Sequence, residues 1–261
     1  ALKRAKLDGP GNDACYTAEV GVLTRQRVHM LHDLRAALEH RQLIVVFQPQ
    51  FDLASNRVLG VEALLRWRNE SGQFVPLEQF IPVAEQSGLI VDIGAWVLNA
   101  AVNAQRELAG QGFKLRMAVN VSPVQFRDPG FLEVVRRAIA DAGIDPALLE
   151  LEITESVALS GWKLVAEHLQ AIKALGVSIA IDDFGTGFSS LSYLARLPAD
   201  CLKIDRSFVH ALDDRHSGTP IAAMVIHLGA QLGMRVLAEG IEDCVQLQTL
   251  VGLGCSEGQG L

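Results

Sequence analysis

Val177-Ser178-Ile179-Ala180-Ile181-Asp182-Asp183-Phe184-Gly185-Thr186-Gly187 decides how this chain is read: an apolar run of strand length, two adjacent carboxylates at its carboxyl end, then a glycine-rich loop. The same arrangement recurs on either side of it. Upstream, residues 58–61 lead to Glu62, 115–119 to Asn120 and 148–151 to Glu152. Downstream, Cys201-Leu202 leads to Lys203 and, past Ile204, to Asp205, and 235–238 leads to Glu239. Helical spacing fills the intervals, notably at 131–142, 162–175 and 221–232. Strands alternating with helices make βαβ units and a parallel sheet. The number of units fits an α/β fold closed into a (β/α)8 TIM-type barrel better than a five-stranded open sheet. The carboxyl ends of all parallel strands open onto one face, so the polar residues converge there. One acid in such a place reads equally well as a solvated loop residue or a helix cap; five at one structural station do not.

The rest of the composition agrees. A chain of 261 residues holds one barrel, and 49% hydrophobic residues exclude a disordered chain. No apolar run approaches the roughly 18 residues of a membrane span, and Ala1–Lys6 lacks the apolar core of a signal peptide. Membrane contact within this stretch is therefore not expected. A net charge of −7 disfavours duplex nucleic acid and anionic membranes, which need a basic face. Four cysteines without C-x-x-C spacing point to a reducing cytoplasm. Seven histidines form no metal-type cluster, so a metal here needs oxygen ligands. Residues 1–22, with turn chemistry at 8–12, read as a linker. Helical spacing starts near Leu23, with Met30, Leu31, Leu34 and Leu38 on one face.

Glu62, Glu152, Asp182, Asp183 and Glu239 crowd one mouth. Two like charges about 4 Å apart repel by roughly 4 kcal/mol at an effective dielectric near 20. Such a cluster takes up protons or binds cations, and the single Lys203 does not balance five anions. Divalent ions on oxygen ligands, Mg²⁺ or Mn²⁺, resolve this, with Asn120 as a neutral ligand. The adjacent pair Asp182-Asp183 suits two ions, the usual arrangement for phosphoester hydrolysis. Lys203 reads either as a group that orients the nucleophile and stabilises negative charge or as a Schiff-base amine. The acid ring argues against the second, because it favours the charged form.

Glu62-Ala63-Leu64-Leu65-Arg66-Trp67 resembles the signature of the EAL domain family, the cyclic di-GMP phosphodiesterases of bacteria. Gln48-Pro49, Asn120-Val121-Ser122, Glu152-Ile153-Thr154-Glu155-Ser156, Asp182–Gly187, Leu202-Lys203-Ile204-Asp205, Ala238-Glu239-Gly240-Ile241-Glu242 and Gln259-Gly260 match its other motifs in order and spacing. The resemblance covers about Leu31 to the end. It implies a barrel whose first strand runs antiparallel to the others, and metal-assisted hydrolysis of cyclic di-GMP to linear pGpG with two Mg²⁺ or Mn²⁺ ions, Ca²⁺ inhibiting. It implies Glu62, Asn120, Glu152 and Asp182 as ligands of one ion, and Asp182, Asp183 and, through water, Glu239 for the second. Glu239 corresponds to the general base and Lys203 to the partner of the nucleophilic water. Gln48, Arg66, Asp205 and Gln259 fall among the substrate contacts, and Glu155 and Glu242 among the residues that anchor the 183–190 loop. A catalytically weak receptor or interaction module is the alternative, and a homodimer is left open. Residues 1–6 followed by Gly9 resemble the last helix of a GGDEF domain. On that reading 1–22 are the remnant of an upstream GGDEF domain and a linker, 23–261 are the EAL barrel cut at its last strand, and the longer protein can be tethered to a membrane upstream.

Overall fold

The computed structural model describes residues 18–159, 162–186, 194–212 and 219–260. The GGDEF-like residues 1–6, part of the glycine-rich loop (187–190) and Leu261 lie outside them. In order the elements are α1 (Ala18–Glu39), β1 (Leu43–Asp52), β2 (Val58–Arg68), β3 (Phe74–Val75), α2 (Leu77–Ser87), α3 (Ile90–Gly110), β4 (Arg116–Asn120), α4 (Pro123–Phe126) and α5 (Phe131–Ala142). They continue as β5 (Leu149–Thr154), α6 (Glu155–Leu159), α7 (Trp162–Ala174), β6 (Ser178–Phe184), β7 (Cys201–Ile204), α8 (Arg206–His210), α9 (Thr219–Leu232), β8 (Arg235–Ile241), α10 (Cys244–Gly252) and β9 (Glu257–Gly260). No single described helix is long and apolar enough to cross a membrane.

The chain forms two compact units. The larger, from 45–65 and 90 onward, is the barrel. Strands follow the order β1-β9-β8-β7-β6-β5-β4-β2, and β1 pairs with β2 to close the ring. Every neighbouring pair from β2 round to β9 is parallel, while β1 is antiparallel to β9. The tight 53–57 connection makes this orientation inevitable, because a parallel neighbour needs a crossover of a dozen residues. The smaller unit holds 18–44 and 66–89. In it the end of β2 pairs with β3, Trp67 opposite Val75. Trp67 also packs edge-on against Phe80, ring centres 5.4 Å apart. Leu34 and Ala37 of α1 are fully buried, on the face read from the sequence.

Two boundaries differ from the sequence reading. The first helix already includes Ala18, ahead of the helical spacing that begins near Leu23, since Ala18-Glu19-Val20 does nothing to oppose a helix. The strands also run past their polar residues, β2 six residues beyond Glu62 and β5 two beyond Glu152. The acids therefore sit inside the barrel wall and not just after it. Alternation explains the wall itself. In β5, Leu149, Leu151 and Ile153 share one face and Glu150, Glu152 and Thr154 the other. The apolar face is buried, as is one stripe of helices such as α5, with Phe131, Val135, Ala138 and Ala142 at helical spacing.

Candidate active site

Lys203 on β7 is 1% exposed and lies at the centre of the acids. Its Nζ is 2.7 Å from Glu152 Oε2 on β5 and 2.7 Å from Glu239 Oε1 on β8. Asp182 Oδ1 on β6 is 3.4 Å away and Glu62 Oε2 on β2 is 3.7 Å away. Four strands distant in sequence thus deliver four carboxylates to one ammonium. Burial opposes the charge on Lys203, but Glu152, Asp182, Glu239 and Glu62 outweigh it and hold the amine well above its ordinary range. A Schiff-base role, which needs a free amine, does not suit this setting. The acids diverge. Burial pushes Glu152 well above the usual carboxylate range despite Lys203. Glu239 is raised by burial, against the pull of Lys203, to about 7. Burial would also raise Glu62, yet Lys203, Gln259 and Asn120 bring it below its ordinary value.

Asp183 shows how adjacent residues come to serve one site. In a regular strand Asp182 and Asp183 face opposite sides. Here the β6–β7 register shifts between Ile181 and Phe184, and Asp183 is held at φ 54°, a left-handed conformation that Asp tolerates better than most residues. Oxygens of Asp182, Asp183 and Glu239 consequently lie within 4.8 Å of one another. Burial, Asp182 and Asp205 raise the Asp183 carboxyl to about 6. A second shift, in β8–β9 between Glu239 and Ile241, occurs beside Glu239. It uses Gly240 at φ 70°, where a Cβ would stand 2.7 Å from Arg206 Cβ. Bulges of this kind re-aim side chains at the rims of barrels.

The remaining candidates separate by position. Asn120 Nδ2 donates to Glu62 Oε1 at 2.6 Å, which leaves its carbonyl oxygen to offer elsewhere. Gln259 Nε2 donates to Glu62 Oε2 at 2.6 Å and to Gln48 Oε1 at 3.0 Å, so Gln48 and Gln259 join the acid cluster. Asp205 caps α8 by accepting from Ser207 N at 3.0 Å and lies against Asp183. Glu155, 3% exposed at the start of α6, accepts from Gly185 N at 2.9 Å. Gly185 has φ 100°, and a Cβ there would meet Phe208 at 2.9 Å. Glu242 faces His210 at 3.2 Å. Arg66 lies on β2 within the smaller unit.

A scan against known domains matches the EAL domain over residues 31–261. The chain belongs to the EAL domain family. MucR of Pseudomonas aeruginosa, named a bifunctional diguanylate cyclase and cyclic di-GMP phosphodiesterase, is 40% identical over 261 residues, covering 100% of this chain and 38% of MucR. PA2567 of the same organism, named a cyclic di-GMP phosphodiesterase, is 41% identical over 216 residues, 83% of this chain and 37% of that protein. The chain therefore spans well under half the length of these relatives. Among solved structures, the PaMucR phosphodiesterase in its c-di-GMP complex superposes with a TM-score of 0.86 at 42% identity, covering 89% of this chain and 94% of that one.

This EAL domain holds a second polar layer that the sequence reading missed. At the amino-terminal level of the same barrel interior, Arg116 pairs with Glu150 at 3.2 Å and Glu257 at 2.6 Å. Arg235 pairs with Glu257 at 3.1 Å and with Glu150. The opposite end is charged too, but with alternating signs and no net charge, so it does not share the acidic bias of the mouth. Strand periodicity held the signal. Glu150 and Glu257 lie two residues before Glu152 and Gln259, and Arg116 and Arg235 four before Asn120 and Glu239, so each shares a face with a mouth residue.

The mouth, unlike the lower ring, is unbalanced: Lys203 faces Glu62, Glu152, Asp182 and Glu239, with Asp183 close by. Glu152 Oε1 is buried with no hydrogen-bond partner among the described residues. A buried carboxylate oxygen in that state calls for a proton or a cation. The all-oxygen donor set fits Mg²⁺ or Mn²⁺.

Proposed function

We propose that this EAL domain is a phosphodiesterase that hydrolyses one 3′–5′ phosphodiester of cyclic di-GMP, giving linear pGpG and lowering the second messenger. The observation that carries this reading is the excess of carboxylate around one buried lysine, including the unpartnered Glu152 Oε1. The names of the MucR and PA2567 relatives supply the substrate class. In this reading Glu62, Asn120, Glu152 and Asp182 would hold one divalent ion, and Asp182, Asp183 and Glu239, whose oxygens lie within 4.8 Å of one another, would hold a second. The ions, when bound, neutralise charge on the phosphate and make water more acidic.

The protein's own groups do the rest. Glu239 engages Lys203 through Oε1, which leaves Oε2 to take the proton of the attacking water. A carboxyl near pH 7 is matched to that work at neutral pH. Lys203 stays charged, orients Glu152 and Glu239, and offers its remaining hydrogen to the nucleophilic water. Gln48, Asp205 and Gln259 contact substrate. Arg66 joins them on the strength of the motif alone, and Glu155 holds Gly185 and with it the start of the loop carrying Asp183. Residues 1–22 remain, in this proposal, the end of an upstream GGDEF domain and its linker.

The test is incubation of cyclic di-GMP with the protein in Mg²⁺, in Mn²⁺, in Ca²⁺ and after exhaustive chelation. Hydrolysis in the first two alone supports the reading, because the longer, looser coordination of Ca²⁺ misplaces the reacting groups. Full activity after chelation contradicts it.

A further inference from the structure

A chain of side-chain amides joins the two charged layers of the barrel. Gln50 on β1 is fully buried. Its Oε1 accepts from Arg116 Nη2 at 3.0 Å, and its Nε2 donates to Gln259 Oε1 at 3.2 Å. Gln259 Nε2 in turn donates to Glu62 Oε2 at 2.6 Å and Gln48 Oε1 at 3.0 Å. The inward position of β2 at this level is Gly60, where a Cβ would stand 3.1 Å from Gln50 Oε1 and 2.9 Å from the Arg116 carbonyl oxygen. The missing side chain makes room for the Gln50–Arg116 contact.

The ends of the chain fix its direction. A guanidinium has only donors, so Gln50 must turn its oxygen to Arg116 and its nitrogen to Gln259. An ionised carboxylate has only acceptors, so Gln259 must turn its nitrogen to Glu62. Amide orientations that are otherwise ambiguous are thus set from both sides, and Arg116 is held in turn by Glu150 and Glu257.

We infer that Gln50 is a positioning residue: it sets the amide of Gln259 from the Arg116 ring and so holds Glu62 and Gln48 ready for metal and substrate. The inference rests on the reading of Glu62 as a metal ligand. Gln50 touches neither ion nor substrate and acts only through Gln259. Replacing it frees Gln259 to turn its carbonyl toward Glu62, where two acceptors repel.

The experiment measures Mn²⁺ binding without substrate, from the spin-resonance signal of free Mn²⁺, for the parent, Gln50→Met and Gln50→Glu, beside urea unfolding of each. Gln50→Met keeps length and loses both hydrogen bonds. Gln50→Glu, at a pH where it is ionised, keeps an acceptor for Arg116 and loses the donor to Gln259. Gln50→Met should weaken Mn²⁺ binding about tenfold, the equivalent of roughly 1.4 kcal/mol. Gln50→Glu should weaken it at least as much while unfolding closer to the parent. A merely structural role gives the reverse order, with affinity following stability. Binding within twofold of the parent in Gln50→Glu overturns the inference, and this variant decides alone if Gln50→Met does not fold. A parent that retains no Mn²⁺ overturns the underlying metal reading instead, before any variant is compared.

Discussion

Replacing Lys203 with Met removes the ammonium that four carboxylates face and keeps the volume of the stem. Each contact at 2.7 Å corresponds to about 6 kcal/mol of Coulomb attraction at an effective dielectric near 20, most of it offset by the desolvation of the charges. What remains on breaking a buried pair is about 3–5 kcal/mol. The loss depends on pH, and the sign follows from linkage. Glu239 is raised to about 7 from its ordinary 4.5, and Asp183 to about 6 from 3.8. Their contribution to stability is therefore fully present below those ordinary values and fades as pH rises through 6 and 7. Without Lys203 these groups are raised further, so the folded variant takes up protons that relieve the repulsion in mild acid. Urea unfolding of chelated protein should show Lys203→Met destabilised by about 3–5 kcal/mol at pH 8 and by about half that at pH 5.5. Equal losses at both pH values, or under about 1 kcal/mol at pH 8, would refute the reasoning from an anion cluster organised by one lysine.

Other outcomes follow from the same geometry. Glu239→Gln should lower kcat by at least about 100-fold and change cyclic di-GMP affinity much less, provided metal occupancy is checked in parallel; a rate within about threefold of the parent removes Glu239 from the base role. Glu155→Ala removes the acceptor for Gly185 N and should cost on the order of 10²-fold in rate by misplacing Asp183, with part restored at high Mg²⁺; parent-like kinetics across a Mg²⁺ titration would leave Glu155 an ordinary acid. Mn²⁺ affinity should climb as pH rises from about 5.5 to 7.5, because Asp183 and Glu239 give up protons near 6 and 7; calorimetry showing a flat profile across that range would contradict their place at the metal.

The barrel and its mouth were legible because strand ends leave a local signature: an apolar run followed by one polar residue, repeated. That signature put Glu62, Asn120, Glu152, Asp182, Lys203 and Glu239 on one rim without any knowledge of pairing. It said less about strand direction. The antiparallel β1 came from the family resemblance and not from periodicity, which reads the same in either sense. Asp183 needed a bulge and a left-handed residue to face its neighbour, and alternation alone sends it outward. The Arg116–Glu150–Arg235–Glu257 ring went unread for a different reason. Each member sits at or next to the amino-terminal start of its strand, away from the carboxyl ends that carry the signature, and a charged residue there passes for the solvated face of a strand until closure puts that face indoors. Gln50 was overlooked likewise, since a neutral amide two residues after Gln48 gives no charge to notice.

The central claim is that this acid-lined mouth uses water to open one phosphodiester of cyclic di-GMP. Mass spectrometry of the product formed in ¹⁸O-labelled water with Mg²⁺ tests it most directly. The account predicts pGpG carrying a single ¹⁸O on its terminal phosphate. Cyclic di-GMP recovered unchanged and unlabelled from protein shown to be folded and loaded with metal would contradict it.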